Sequence, residues 1–391
     1  MIREEMKKLL TWKRILLILV VTIFYFILFL HSYVVIYEGS YRQEADIAKA
    51  VTGKYGTEIT EDEYGQMKQD VPFEGKEKMS EIAAGLKGFQ EKGITDIREL
   101  VLDETMSQDE KEQLWSELYE SFNFIEQRED MSRMFTDAIE LTYWQTYLED
   151  YRTEVLGAPD GGTEYYKKLN DSQQMRVEER NKEEVRSVLP AQVVETNFEV
   201  LQFWTPLMVL SVLLLVLPYM IGENRSNMTA LLYSMPRGRK YYVVRMKAVL
   251  LSCLLLVSIY IGLYAAVAKI NRVFDFWNTP VSACTSGFIS WFPWTLGQLT
   301  AAAVICSAAF SIGAGLLSFV ITARCGNYIT AIAGHIPLFL AGTAFGIIFL
   351  SRFTEITGIR GLDMMTACVW LCAGAAGIFI QYAREKRRNA S

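Results

Sequence analysis

Apolar residues in this chain come in blocks separated by long polar stretches. Six runs, 15–37, 200–221, 248–268, 296–322, 328–350 and 365–383, are each about twenty residues long or a little more. A helix rising 1.5 Å per residue needs ~20 residues to cross ~30 Å of hydrocarbon, so each run predicts a transmembrane helix. Buried core helices of a soluble protein are the alternative. It fails on ILLILVVTIFYFILFL and LMVLSVLLLVLPYMI, which carry no charge on any face, whereas soluble helices keep a polar stripe. The expected fold is mainly α: a polytopic membrane protein with six transmembrane helices and an inserted, mostly helical extracellular domain.

The polar stretches have patterns of their own. Residues 1–14, MIREEMKKLLTWKR, set Ile2, Met6, Leu9, Leu10 and Trp12 among charges, which predicts a short amphipathic helix along the inner membrane face. The run at 15–37 is too long for a signal-peptide core and ends in HSYVVIYEG rather than a small-residue cleavage site, so it is expected to stay as an anchor. In 38–197, Ser107 and Glu110 form a capping box ahead of EKEQLWSELYESF, where Leu114, Leu118 and Phe122 recur every four residues. Helical periodicity continues over 126–156, the APDGG turn at 158–162 breaks it, and a polar helix is expected from about 163 to 188. The stretch 50–75 has weaker periodicity and reads as a small hairpin or a loop.

Charge then orients the spans. The N-terminal tail, the 222–247 loop, Arg324 and the tail after 383 hold 16 of the 39 basic residues, and six spans put all four on one side. Lys and Arg near span ends are retained in the cytoplasm, so both termini are predicted cytoplasmic. The 384–391 tail is basic, and the span-bearing region 198–383 contains the cytoplasmic segment 222–247. Segment 38–197 then lies outside a cell membrane; it holds 37 acidic against 19 basic residues, so its charge of −18 is offset by +12 elsewhere to give −6 overall. Such an exterior keeps a domain soluble and can also attract cationic peptides.

Candidate chemistry is sparse. No phosphate-binding GxxxxGK[ST] loop occurs, so the chain has no ATP site of that kind. The two histidines, His31 and His335, lie far apart inside apolar runs, and no catalytic residues or metal ligands are assigned. All six cysteines follow residue 250, and Cys368 and Cys372 read as small packing residues rather than ligands. The spans lack buried carboxylates, which argues against coupling to protons or sodium through the membrane core. Spans four and five are rich in small residues, with Gly313 in the first and Gly342 and Gly346 in a GxxxG arrangement in the second, the signature of close helix packing.

The most informative stretch follows span two: GENRSNMTALLYSMPRGRKYYVVRMKAVLL. Glu223 comes first, then the pair Leu231 and Leu232, Pro236 as a stop, and Arg239 through Lys247 before span three. An amphipathic helix with basic flanks beneath the membrane can dock in a groove of a soluble partner. The alternative is an ordinary positive-inside loop.

This order of residues resembles the first cytoplasmic coupling segment of type-two ATP-binding-cassette (ABC) exporter permeases. The amphipathic N-terminus, the six spans and Gly297-Gln298 leading into span four are similar to that family's layout. Met228 stands where many members have Gly. The resemblance implies a half-transporter: a permease subunit that moves an amphiphilic peptide, lipid-like molecule or drug outward. It would pair with a second permease chain and a separate ATPase subunit, which holds the ATP and Mg; this chain binds no cofactor. Glu223, Leu231, Leu232, Pro236 and Arg239 would contact the ATPase. The rival reading is a membrane-anchored sensor or immunity protein whose extracellular domain binds a peptide without transport.

Overall fold

The structure, a computed structural model, describes residues 1–36, 42–56, 59–125, 127–151, 169–182, 188–225, 238–284, 288–325 and 327–388. It is mainly helical, and only isolated β-bridges occur among the described residues. Two compact units emerge: Met1–Gly39 with Gln192–Asn278 and Ser290–Ser391, and Ser40–Ala191 with Thr279–Ile289.

Among the described residues, the first unit contains a short helix, α1 (Ile2–Leu9), and six helices long and apolar enough to cross a membrane. These are span 1 (Trp12–Val34), span 2 (Ala191–Tyr219), span 3 (Tyr241–Ile270), span 4 (Leu296–Thr322), span 5 (Tyr328–Leu350) and span 6 (Leu362–Arg384). Their mean hydropathy of 1.7 to 2.7 marks a multi-pass membrane protein. Span 2 forms the core, with 72 % of its most apolar stretch buried against 11 % for span 1, so the first span lies at the periphery.

Several buried polar side chains pair between spans, the arrangement hydrocarbon favours, while Ser252 Oγ and Trp370 Nε1 are buried without a partner among the described residues. Span 2 meets span 4 through Thr205 Oγ1 to Ser307 Oγ (2.8 Å) and Asn197 Nδ2 to Thr300 Oγ1 (3.0 Å). It meets span 3 where the Tyr260 hydroxyl lies 2.6 Å from Ser211 Oγ, and the same hydroxyl reaches Thr22 of span 1 at 2.5 Å. Span 4 starts at a capping box: Gln298 N donates to Thr295 Oγ1 (3.3 Å) and Thr295 N to Gln298 Oε1 (3.2 Å). Against span 6 it stacks Phe310 on Trp370, centroids 4.7 Å apart and planes 3° apart. At the end opposite α1, Thr354 has φ 59°, unusual for a β-branched residue, and is held there by Asp363 Oδ2, which accepts its N–H at 2.7 Å.

Among the described residues, the second unit packs eight α-helices: α2 (Arg42–Tyr55), α3 (Glu61–Met67), α4 (Glu77–Gly85), α5 (Lys87–Lys92), α6 (Ile97–Leu102), α7 (Gln108–Phe122), α8 (Arg128–Tyr151) and α9 (Asp171–Lys182). Phe89, Leu100, Leu118, Phe122 and Leu141 are wholly buried and form its core. The Ser107 and Glu110 box caps α7, with Ser107 Oγ accepting from Glu110 N at 3.4 Å. The hairpin-or-loop reading of 50–75 is corrected: α2 runs to Tyr55, and a second box, Thr60 with Glu63, starts α3. A threonine three residues before a glutamate satisfies two free backbone donors locally, which outweighs the weak hydrophobic period. The APDGG turn lies outside the described residues.

Candidate functional site

Two features of the membrane unit lie outside ordinary helix packing. The first is at the end of the bundle that carries both termini, where the Tyr242 ring stacks on Tyr382 at 6.1 Å. The amphipathic pattern of α1 turns Leu9 inward, as expected, but the same face also buries Glu5, 3 % exposed. Its carboxylate accepts hydrogen bonds from the hydroxyls of Tyr219, at the end of span 2, and Tyr241, at the start of span 3 (2.7 Å for the latter). Lys8 Nζ adds a third bond at 2.7 Å, and Arg245, 1 % exposed, brings Nε to 4.0 Å. The Arg245 guanidinium also lies over the Tyr241 ring, 4.3 Å from its centroid. Burial works against the charged form of Glu5, but hydrogen bonds from Lys8, Tyr219 and Tyr241 outweigh it and hold the pKa below the ordinary carboxylate value. Helix α1 is therefore tied to spans 2 and 3 through Glu5, with Lys8 Nζ also donating to the Tyr241 hydroxyl at 3.2 Å.

The second feature is an apolar cleft of about 570 Å³ between spans 1, 2 and 5. Span 1 contributes Phe24, Tyr25 and Phe29; span 2 contributes Phe203 and Pro206; span 5 contributes Phe339 and Ile347. Tyr25, Phe29 and Tyr33 are four residues apart on one face of span 1, and Phe203 stacks between Phe29 (6.0 Å) and Tyr33 (5.7 Å). Both outer walls contain π-helical turns, Phe26–Leu30 in span 1 and Phe345–Leu350 in span 5, and such turns occur frequently at functional sites. The volume is that of a small-molecule pocket. Its lining can take an acyl chain or an aromatic group and offers almost nothing to replace an ion's water.

The residues singled out from sequence fall as follows. Gly342 and Gly346 shape the cleft: a methyl at Gly342 would sit 3.0 Å from the γ-carbons of Val209, and one at Gly346 would run into the Gln202 carbonyl and lie 3.1 Å from Pro206 Cδ. Span 5 approaches span 2 closely only because these positions lack a side chain. Gly313 does the same for spans 4 and 6, where a methyl would lie 2.8 Å from the Trp370 carbonyl oxygen. Glu223 lies on the last turn of the helix Ala191–Arg225, and Arg239 on the first turn of Gly238–Ile270. Leu231, Leu232 and Pro236 lie outside the described residues. His335 is a packed residue: Nδ1–H donates to the Ala331 carbonyl and Nε2 accepts from Ser318, both at 2.6 Å.

No protein-family model, curated protein or solved structure matches this chain. Sequence reasoning missed Glu5 and its partner Arg245, which had been counted with the basic loop. It also missed the cleft, although the four-residue spacing of Tyr25, Phe29 and Tyr33 was a usable signal.

Proposed function

We propose that this chain is the permease subunit of an ATP-driven ABC exporter, moving an amphiphilic peptide, lipid-like molecule or drug outward. It would act with a second permease chain and a separate ATPase subunit that binds ATP and Mg. Both termini would lie in the cytoplasm and the inserted unit outside a cell membrane.

One observation carries this reading: the wall of the cleft and the flank of the proposed coupling segment belong to the same helix. Ala191–Arg225 is a single helix of 35 residues. It holds Phe203 and Pro206 in the cleft and Glu223 at its far end, about 30 Å of helix away at 1.5 Å per residue. Helix α1, through Glu5, grips this helix at Tyr219 and the next one at Tyr241, the two helices that flank 226–237. A push from an ATPase on that segment would reach the cleft along one continuous helix, whose internal proline between the two ends is Pro218. ATP would drive transport by binding one arrangement more tightly than the other.

The apolar lining supports an amphiphilic cargo. On span 2, Glu195 and Glu199 continue the stripe of Phe203, Pro206 and Leu210, and both are exposed. An apolar body in the cleft would carry a cationic end beside these carboxylates.

The test is capture of the ATPase. A tagged chain, expressed in its native cells, is expected to co-purify a soluble ATPase that the chain alone cannot replace, and Leu232→Asp is expected to lose that ATPase while reaching the membrane in normal amount. Normal capture by Leu232→Asp, or capture of no ATPase at all, would overturn the proposal and leave the sensor reading.

A further inference from the structure

The second unit has a groove of its own, about 470 Å³, along the seam of α7 and α8. One stripe of α7 supplies Glu112, Trp115, Tyr119 and Glu120, and α8 supplies Phe135 and Thr142. Tyr119 and Phe135 stack with centroids 5.9 Å apart and planes 13° apart, and buried Trp115 closes the floor 6.0 Å from Tyr119. The polar edges of these rings are engaged within the fold: Trp115 Nε1 donates to Gln145 Oε1 at 2.7 Å, and the Tyr119 hydroxyl lies 3.2 Å from Thr142 Oγ1. The groove thus presents rings fixed in place. Exposed carboxylates, Glu112 and Glu120, line it eight residues apart on α7, and neither has an ion-pair partner among the described residues. Lys76, Lys92 and Lys111 of the same unit are engaged by Glu140, Glu110 and Glu149.

We infer that this groove binds a basic peptide, with one cationic side chain at Glu112, another at Glu120 and an apolar side chain over the rings between them. Carboxylates beside aromatic faces are what guanidinium and ammonium groups recognise. Eight residues of helix separate the two glutamates by ~12 Å. In an extended peptide, residues i and i+4 lie on one face ~13 Å apart, with i+2 between them. The spacing therefore selects a basic, any, apolar, any, basic sequence. This groove is separate from the membrane cleft and does not depend on the transport reading.

The test uses the full chain in detergent at physiological salt and fluorescence anisotropy of a fluorescein-labelled Arg-Ser-Leu-Ser-Arg peptide. Saturable binding is expected, with none for Glu-Ser-Leu-Ser-Glu. The double variant Glu112→Gln/Glu120→Gln is expected to weaken it about tenfold. Tyr119→Leu is expected to weaken it comparably, while Tyr119→Phe, which keeps the ring, binds like the parent. Asp62→Asn/Glu81→Gln removes the same charge from exposed positions elsewhere in the unit and is expected to change binding less than about twofold. Absence of saturable binding overturns the inference. So does equal weakening by Asp62→Asn/Glu81→Gln, which would assign the attraction to diffuse charge, and so does unchanged binding in Tyr119→Leu. Because ATPase capture is measured independently, the two proposals fail separately.

Discussion

Replacing Glu5 by alanine should release α1 from the bundle, and the size of the effect can be worked from its contacts. The variant leaves Arg245 buried with the Tyr241 ring and without the carboxylate, and strips two tyrosine hydroxyls of their acceptor. Breaking a buried ion pair by removing one partner costs about 3–5 kcal/mol. The 4.0 Å separation from Arg245 places this case at the lower end, about 3 kcal/mol. The Lys8 bond adds little, since that side chain is half exposed. A free helix of 8 residues is too short to persist in water, so α1 owes its order to docking. Its amide exchange therefore reports the opening directly. In hydrogen-exchange mass spectrometry of the detergent-solubilised chain, 3 kcal/mol corresponds to exchange over residues 2–10 about 150-fold faster in Glu5→Ala. Glu4→Gln, at a neighbouring exposed position, is expected to stay within about threefold of the parent. Pairing Glu5→Ala with Arg245→Met should recover part of the loss, because the buried cation that lost this carboxylate is gone. Exchange in Glu5→Ala no faster than in Glu4→Gln would refute the assignment of Glu5 as the tie.

The packing glycines give a graded series: Gly346→Ala and Gly313→Ala meet backbone carbonyls that cannot give way and should each cost about 1–3 kcal/mol, seen as a lowered Tm. Gly262→Ala, with nothing within 4 Å, should be neutral or stabilising, and equal effects at all three sites would contradict the packing argument. Glu110 is pulled down to about 2, first by the Lys92 hydrogen bond and then by the Ser107 backbone and side-chain bonds. A carboxylate depressed in this way stabilises the fold above its ordinary 4.5 and loses that contribution as pH falls through about 2, so an NMR titration of Glu110 should show no inflection near 4.5. For topology, cysteines introduced at Ser107 and Gly161 should react with an impermeant maleimide on intact cells, and one at Ser234 should not; reaction at Ser234 would reverse the orientation.

The spans were legible because membrane insertion imposes a long, one-dimensional signal. Twenty uncharged residues are needed whatever surrounds them, and all six expected runs have a counterpart among the six helices. Capping boxes were legible for a similar reason: Ser107 and Glu110 satisfy each other over three residues. The same rule, applied to Thr60 and Glu63, would have found α3 in the stretch read as hairpin or loop.

What stayed hidden depends on residues far apart in the chain. Glu5 looks like one of several charges on a solvated helix, and only its meeting with Tyr219 and Tyr241, more than 200 positions away, turns it into a buried tie. Arg245 looks like one more basic residue of a cytoplasmic loop, yet it lies inside the helix of span 3, where burial is tolerable because Glu5 and the Tyr241 ring face it. Docking of α1 thus brings two buried opposite charges, Glu5 and Arg245, to within 4.0 Å of each other. The cleft has the same logic in apolar form. Its aromatic stripe was written at four-residue intervals in span 1, but its third wall exists only because Gly342 and Gly346 let span 5 reach span 2. A larger residue at either glycine would move that wall, so the pair sets the shape of the cleft as well as the packing of the bundle.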